Sequence, residues 1–403
     1  MKSKSFSLIL ALQSFSTGLL VSVYSLVFIS RGLDLYQLSI IMGILSFTVI
    51  VLEVPTGIFA DLYGRKFTFL LSICFTFIGT LIVLLSQSFT LLCLSVVLSG
   101  AGRALSSGSL EALYIEGFIA HNGRECLPRI LTHLNVLESS GLAIGAAIGG
   151  LLPSLSDQFG LFSTLYDLNL IIKLFLSLAI SILTLRCIND SFSRESLSPP
   201  KSYLANHLKT GLSLLRKQKV IIFVLISVFT TGFFFFSLET FWQPQFMDIL
   251  PDRRSLWVLS VISFSYFASA LIGSLIAEKL LNNRRIKAIY LFPIGRMLIA
   301  VFLIMLGHQF QIQGFVIIFS FIYFSLGLSN IPESILINDV TPDRYRASIL
   351  SLGSLVLQLG ALTASIVSVV IIKYTAISTL WIIASVLLIL SSLVFLLLGN
   401  LKD

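Results

Sequence analysis

The sequence predicts an all-α integral membrane protein with twelve transmembrane helices in two pseudo-symmetric six-helix bundles. Three observations lead to this prediction: an apolar composition, twelve apolar segments of membrane-spanning length, and a one-sided distribution of basic residues. Of the 403 residues, 56% are hydrophobic and only 11% are charged, and the mean hydropathy is +0.98. A water-soluble domain of this length needs many more charged residues to cover its surface, so the composition indicates a membrane protein.

The twelve predicted spans are apolar segments long enough to cross a bilayer. A helix needs about 20 mainly apolar residues to cross roughly 30 Å of hydrocarbon. By this measure the spans lie near residues 6–29, 38–60, 67–86, 89–117, 130–153, 164–186, 219–244, 255–279, 287–307, 313–338, 347–371 and 376–399. The connections between them are short, so the sequence leaves no room for a folded catalytic or nucleotide-binding domain outside the membrane.

The basic residues predict that both termini lie in the cytoplasm. Of the 27 Lys and Arg residues, three fall inside spans. Four fall in the predicted outer loops, namely Arg31, Arg253, Arg254 and Lys373. The remaining twenty lie on the side of the N-terminus, and such an excess is typical of cytoplasmic loops. Lys2 and Lys4 precede the first apolar segment, which we interpret as an uncleaved span.

The two halves of the chain are predicted to form separate bundles. Residues 1–187 contain the first six spans, and residues 219–403 contain the second six. Between them, Ser-Pro-Pro at 198–200 interrupts any helix, and the leucines between 204 and 215 alternate with basic residues. This pattern predicts an amphipathic helix on the inner membrane surface. Residues 188–218 are therefore interpreted as a cytoplasmic linker.

Several classes of function are disfavoured by the sequence. The net charge of +8 would indicate nucleic acid in a soluble protein, but here basic residues flank apolar segments and meet lipid headgroups, so we expect no nucleic-acid partner. The four cysteines and four histidines are dispersed, so neither a metal site nor a cofactor is expected. The sequence has no G-x-x-x-x-G-K-[ST] loop for nucleotide hydrolysis. We therefore expect that the chain is not an enzyme.

The most specific motif runs from Glu53 to Lys66, at the end of the second span and in the loop that follows. It reads E-V-P-T-G-I-F-A-D-L-Y-G-R-K. Pro55 and Gly57 allow a bend and close packing, and Gly64 permits a tight turn. The basic pair at its end holds this turn on the inner face of the membrane.

This motif resembles the loop between helices two and three of the major facilitator superfamily. The likeness covers essentially the whole chain, including Gly100-Ala101-Gly102-Arg103 and Phe241-Trp242-Gln243-Pro244. The combination resembles the bacterial drug- and metabolite-efflux branch. The resemblance implies a monomeric secondary active transporter in the bacterial inner membrane, with a small-molecule substrate and protons as the coupling ion.

The resemblance also implies a gating motif that holds the cytoplasmic side shut. In this interpretation Asp61 caps helix eleven and Arg65 pairs with Glu116 at the foot of helix four. The predicted motif consists of Gly57, Asp61, Gly64, Arg65, Lys66 and Glu116. The sequence departs from the family pattern at Leu62, where the family usually has a basic residue.

The fifth span contains a stripe of small residues. It carries Gly141, Gly145, Gly149 and Gly150, and glycines four residues apart let another helix approach closely. The stripe resembles the antiporter motif of the superfamily, G-P-x-x-G-G, with Ala146 in place of the proline. Two interpretations stay open: proton-coupled export, or ordinary packing between helices five and eight.

Charged and polar residues inside spans are the candidates for binding solute or protons. Such residues are costly in hydrocarbon and usually face the bundle interior or water. The candidates are Gln13, Tyr24, Arg103, Glu111, Glu239, Gln243, Asn330 and Glu333. By the resemblance, helices one, four, seven and ten line a central cavity, which places all eight near a solute.

The leading hypothesis is therefore proton-coupled efflux of a drug-like compound or metabolite by alternating access. Uptake of a nutrient or siderophore is the alternative within the same class. A membrane-embedded enzyme is the less favoured alternative, because the histidines do not cluster with acids. The substrate stays open among cations, anions and small siderophores.

Overall fold

The computed structural model describes residues 3–107, 109, 111, 112, 114, 115, 127–160, 163–188, 219–283, 286–340 and 346–399. Helices are numbered here by the membrane span to which they belong, and the first span has two parts, α1a and α1b. The helices are α1a Ser3–Val21, α1b Tyr24–Ser30, α2 Leu35–Tyr63, α3 Arg65–Leu85, α4 Phe89–Ser106, α5 Leu127–Phe159, α6 Asp167–Cys187, α7 Lys219–Ile249, α8 Val258–Asn282, α9 Ala288–Leu306, α10 Ile312–Val340, α11 Arg346–Tyr374 and α12 Ile377–Gly399. A short 3-10 helix, Arg253–Trp257, precedes α8.

The all-helical membrane fold is confirmed. Eleven of the described helices are long and apolar enough to cross a membrane, and the pair α1a and α1b supplies a twelfth span that is bent by 54°. The predicted first span over 6–29 is therefore present as two helical parts, and the break between them was not predicted. The predicted fourth span over 89–117 is interrupted, since α4 ends at Ser106 and the described residues 109, 111, 112, 114 and 115 are helical again. The small polar run Ser106-Ser107-Gly108-Ser109 has low helix propensity, which the hydropathy count did not weigh.

The described residues of the chain form two compact units. One contains residues 1–198 together with 251–264, and the other contains residues 199–250 together with 265–403. Within the first unit α1a packs on α5, and α3 packs on α4 and α6. Within the second unit α7 packs on α11, and α9 packs on α10 and α12. The two units thus repeat the same helix pairings. Residues 189–218, most of the predicted linker, lie outside the described residues.

Glycines allow the closest of these helix pairs to approach backbone to backbone. In the first unit, a Cβ atom added to Gly145 would collide with the carbonyl of Phe15 in α1a. In the second unit, a Cβ atom on Gly232 would collide with the carbonyl of Leu357 in α11, and one on Gly360 with that of Phe229. Since lipid provides no hydrophobic drive between helices, this close van der Waals packing holds the pairs together.

The break in the first span is supported by a side chain of α6. At the break, the N–H of Val23 donates to the carbonyl of Leu20 at 3.0 Å, so the carbonyl of Leu19 loses its helical donor. In α5, Pro153 has no N–H to donate to the carbonyl of Gly149. The Nδ2 atom of Asn169 donates to both of these carbonyls, at 2.9 Å each.

Asn169 therefore satisfies two backbone acceptors that would otherwise be unpaired in the membrane interior. An unsatisfied backbone group costs several kcal/mol in hydrocarbon, because no water is present to replace the missing donor. The side chain is fully buried, at 0% exposure. This one amide ties the break in the first helix to the proline of α5.

A buried ion pair lies at the end of the same unit where α1b ends and α6 begins. Arg31, just after α1b, donates to Asp167 at 2.5 Å, and the exposed fractions of their side chains are 4% and 7%. Asp167 also accepts from the backbone N–H of Thr164 at 2.9 Å and from its hydroxyl at 2.7 Å. The pair fixes the end of α1b to the beginning of α6.

Candidate functional site

The predicted gating motif is described only in part. Gly64 ends α2 and begins α3 with a φ of 90°, which an L side chain rarely adopts. Lys66 donates to the carbonyls of Leu185 at 3.2 Å and Ile188 at 2.5 Å, so its charge lies at the C-terminus of α6. The side chain of Asp61 and the whole of Glu116 lie outside the described residues.

Close packing at the end of α2 involves Thr56 rather than Gly57. The Thr56 hydroxyl donates to the carbonyl of Ala104 in α4 at 3.0 Å. A Cβ atom added to Gly57 would meet no described atom within 4 Å. The expected close approach at Gly57 is therefore not present in the described part of the chain.

Most of the glycine stripe in α5 faces α1a. A Cβ atom on Gly141 would lie 2.8 Å from Ser14, and Cβ atoms on Gly145 and Gly149 would collide with Phe15 and Leu19. Only Gly150 faces the beginning of α8, where an added Cβ atom would lie 2.5 Å from the backbone nitrogen of Ser260. The packing alternative in the sequence analysis, between helices five and eight, thus holds for one glycine of the four.

The candidates of the first unit form two small groups. Tyr24, the first residue of α1b, lies close enough to Arg103 in the last turn of α4 for the guanidinium to act electrostatically on its hydroxyl. Glu111 lies close enough to Glu138 of α5 for the two carboxyl groups to interact. Gln13 lies separately in α1a, half-buried.

The candidate Glu239 in α7 has neutral partners from its own helix and from α10. The hydroxyl of Tyr323 donates to its carboxylate, and the side chain of Trp242 lies close enough to interact with it. The ring of Tyr266 from α8 lies 4.0 Å from that of Tyr323, at an interplanar angle of 62°. Phe319 completes the cluster, 5.0 Å from Trp242 and 5.0 Å from Tyr323. We call these five residues the Glu239 site.

Arg296 of α9 is the centre of a separate buried network in the second unit. Its guanidinium donates to the hydroxyls of Thr231 at 2.6 Å, Thr230 at 2.5 Å and Ser391 at 3.0 Å. It also lies 5.3 Å from the ring centroid of Phe292, in cation–π geometry. These contacts connect α9 with α7 and α12.

Glu333 is the acidic group associated with this network. Its carboxylate interacts electrostatically with Arg296, but no salt bridge joins these two described residues. Asn330 lies one turn earlier in α10 with its side chain exposed, and Gln243 of α7 is buried at 1% exposure. Neither belongs to the Arg296 network.

Sequence reasoning missed Asn169, Glu138 and the partners of Glu239. Glu138 is an acid inside a predicted span, and this property alone could have placed it among the candidate residues. The roles of Tyr266 and Tyr323 could not be predicted, because aromatic residues are common throughout membrane helices and helix rotation is not encoded in hydropathy. Among the described residues, no group of three or more His, Cys, Asp or Glu could hold a metal ion.

Comparison with known proteins agrees with this architecture. The family model of the Major Facilitator Superfamily matches residues 6–332. A curated relative, the uncharacterized MFS-type transporter YxaM of Bacillus subtilis (strain 168), is 22% identical over 399 residues, covering 98% of this chain and 95% of the relative.

Two solved structures have the same fold. The nucleoside transporter NupG superposes with a TM-score of 0.76 at 16% identity, over 98% of each chain. A bacterial homolog of the human lysosomal transporter Spinster, in an inward-facing and occupied conformation, gives a TM-score of 0.75 at 13% identity, over 99% of this chain and 96% of that one. Because the family model covers most of the sequence and the helices repeat in two six-span halves, the chain belongs to the major facilitator superfamily.

Proposed function

We propose that this chain is a secondary active transporter that exports a small organic solute in exchange for protons, by alternating access. Membership of a transporter superfamily supports the class of function. The observation that carries the coupling proposal is Glu239, a carboxylate inside a membrane span whose described partners, Tyr323 and Trp242, are both neutral. The carboxyl group can therefore gain or lose a proton without breaking an ion pair.

Glu333 is proposed as a second participant. It also lies within a membrane span, and its electrostatic partner Arg296 is already hydrogen-bonded to three hydroxyl groups. Arg296 would thus keep its position when the charge on Glu333 changes. A carboxylate that can change charge beside a fixed cation is suited to coupling proton movement to a conformational change.

The export direction is supported by the glycine stripe of α5, which resembles an antiporter motif and contacts both α1a and the beginning of α8. Uptake uses the same fold and the same carboxylates in the opposite direction. Reconstituted vesicles with the protein in a known orientation distinguish the two, because they show on which side the solute accumulates under a proton gradient.

The test is solute-driven proton movement in proteoliposomes that contain a trapped pH-sensitive dye. A panel of lipophilic cations, organic anions and siderophore-like chelators is added to the outside. We expect at least one class to move protons, with the flux lost in Glu239→Gln and reduced in Glu333→Gln. Glu278→Gln is the matched control, since this side chain is exposed at the end of α8 and should leave the flux unchanged.

Two outcomes would contradict the proposal. Solute equilibration without proton movement would remove the coupling and leave a facilitator. Proton flux that is equal in the wild type, Glu239→Gln and Glu333→Gln would show that neither carboxylate carries the proton.

A further inference from the structure

We propose that the Glu239 site binds the positively charged group of an organic cation, so that the transported solute is an aromatic or lipophilic monocation. This inference rests on the transport function proposed above and gives that site a substrate class. It follows from the distribution of charge inside the second unit and from the side chains that surround Glu239.

Few of the described charged residues of the second unit lie inside its membrane spans. Asp248, Glu278, Lys279 and Lys373 lie near helix ends, where side chains reach the interface. The charged groups within the described interior of these spans are Glu239, Arg296 and Glu333. Two acids therefore share one cation.

The second step assigns that cation to Glu333. Arg296 interacts electrostatically with Glu333, and its two terminal nitrogens donate to the hydroxyls of Thr230, Thr231 and Ser391. Along α7, Glu239 lies eight residues beyond Thr231, which corresponds to about 12 Å of helix rise. Arg296 therefore does not neutralise Glu239, and Glu239 forms no ion pair among the described residues.

The third step concerns the polarity of the site. A carboxylate buried without a counter-ion is costly, so it will bind a proton or a cation that reaches it. Tyr323 and Trp242 are almost completely buried, at 1% and 2% exposure, while Glu239 and Tyr266 are only half-buried. A solute therefore meets the carboxylate and the ring of Tyr266 first.

The aromatic character of the site favours an organic cation over a hydrated metal ion. Of the four rings around Glu239, that of Tyr266 is only half-buried, and a cation placed over its face gains cation–π attraction. The buried rings of Tyr323, Trp242 and Phe319 make the surroundings of the carboxylate apolar, which favours an apolar body on the cation. Among the described residues, the site has a single carboxylate and no group of acids that could complete a metal coordination shell. These features together select one positive charge attached to an apolar or aromatic body.

The test compares three probes that share the same aromatic body and differ only in head-group charge: phenethylammonium, phenethyl alcohol and hydrocinnamate. Their binding to the full-length protein in detergent micelles is measured by calorimetry. The proposal predicts that phenethylammonium binds about tenfold or more tightly than the other two, as expected for a hydrogen bond to a charged group. Equal affinities, a preference for hydrocinnamate, or no binding of any probe at millimolar concentration would overturn it.

Two variants locate the charge selectivity. Glu239→Gln keeps an acceptor for Tyr323 and Trp242 but removes the charge, so the preference for phenethylammonium should disappear while affinity for phenethyl alcohol stays the same. Glu239→Asp keeps the charge and should retain the preference for phenethylammonium. This variant tests the proposal if Glu239→Gln does not fold. A preference that persists in folded Glu239→Gln would place the cation site elsewhere, and Glu278→Gln serves as the exposed control.

Failure of this inference is distinguishable from failure of the proposed function. If proton flux in vesicles is driven by anions alone, the chain is a proton-coupled transporter and the cation assignment is wrong. If phenethylammonium binds selectively at Glu239 but no solute moves protons, the binding assignment stands and the coupling proposal falls.

Discussion

Helix one and helix seven have equivalent neighbours in their respective units, but they are built differently. Helix one is broken after Val21 and bent by 54°, whereas α7 continues from Lys219 to Ile249 in spite of Pro244. The break leaves the carbonyl of Leu19 without its helical donor, and a side chain from α6 satisfies it. The polar groups of α7 described above are side chains. Glu239 has aromatic partners, and the hydroxyls of Thr230 and Thr231 accept from Arg296.

This difference indicates where each unit is vulnerable. In the first unit, a few polar side chains, Asp167 and Asn169 among them, complete the backbone geometry, so their loss should affect folding. In the second unit, the hydrogen-bond partners of Glu239 and Arg296 are neutral, so replacement of either residue should affect function more than folding. The substitutions below test this difference between the two units.

The largest expected effect is at the ion pair of the first unit. Asp167→Asn leaves Arg31 buried without a counter-ion, and breaking such a pair costs about 3–5 kcal/mol. Unfolding of the purified protein in mixed micelles measures the loss. Asp34→Asn is the control, because Asp34 caps α2 and asparagine caps equally well, so its stability should be nearly unchanged. If the two variants are equally stable, the Arg31–Asp167 ion pair does not stabilise the fold.

The second effect tests the repair of the broken helix. Asn169→Leu has similar volume but leaves the carbonyls of Leu19 and Gly149 without a donor, which should cost about 2–4 kcal/mol. The same unfolding assay measures it. Asn330→Leu provides the control, since the Asn330 side chain is exposed. If Asn169→Leu is as stable as the wild type, water or a backbone shift satisfies these carbonyls instead.

The smallest effect tests what the two units share. Gly149→Ala in the first unit and Gly232→Ala in the second unit each place a methyl group against a neighbouring backbone, which should cost about 1–3 kcal/mol. Gly57→Ala meets no described atom within 4 Å and should be neutral or slightly stabilising. A loss at Gly149 without a loss at Gly232 would show that the helix pairings of the two units are not energetically equivalent.

The sequence was sufficient to predict the membrane class, the twelve spans and the superfamily, because each depends on hydropathy, loop charge or a local motif. It did not predict the break at Ser22–Val23, where no glycine or proline marks a change of direction. Pro153 gave no sign of that break either, because the two positions are joined only through Asn169 in three dimensions.

For the candidate site, the sequence identified charged residues but not their partners. Glu239, Glu333 and Arg103 stand out as charges inside apolar segments. The assignment of Arg296 to the hydroxyls of α7 and α12, and of Tyr323 to Glu239, depends on helix rotation and on contacts between residues 65 or more positions apart in the chain. Those contacts are set by packing, which a pattern of apolar residues does not specify.

The most direct test of the central claim, that this chain is an alternating-access carrier, is counterflow in proteoliposomes. Vesicles are loaded with unlabelled phenethylammonium and diluted into a trace of the labelled compound without a proton gradient. We expect a transient accumulation of label inside wild-type vesicles. Protein-free vesicles and vesicles with Glu239→Gln should show no such accumulation. Simple equilibration of the label without accumulation would contradict a carrier and indicate a channel or passive leak.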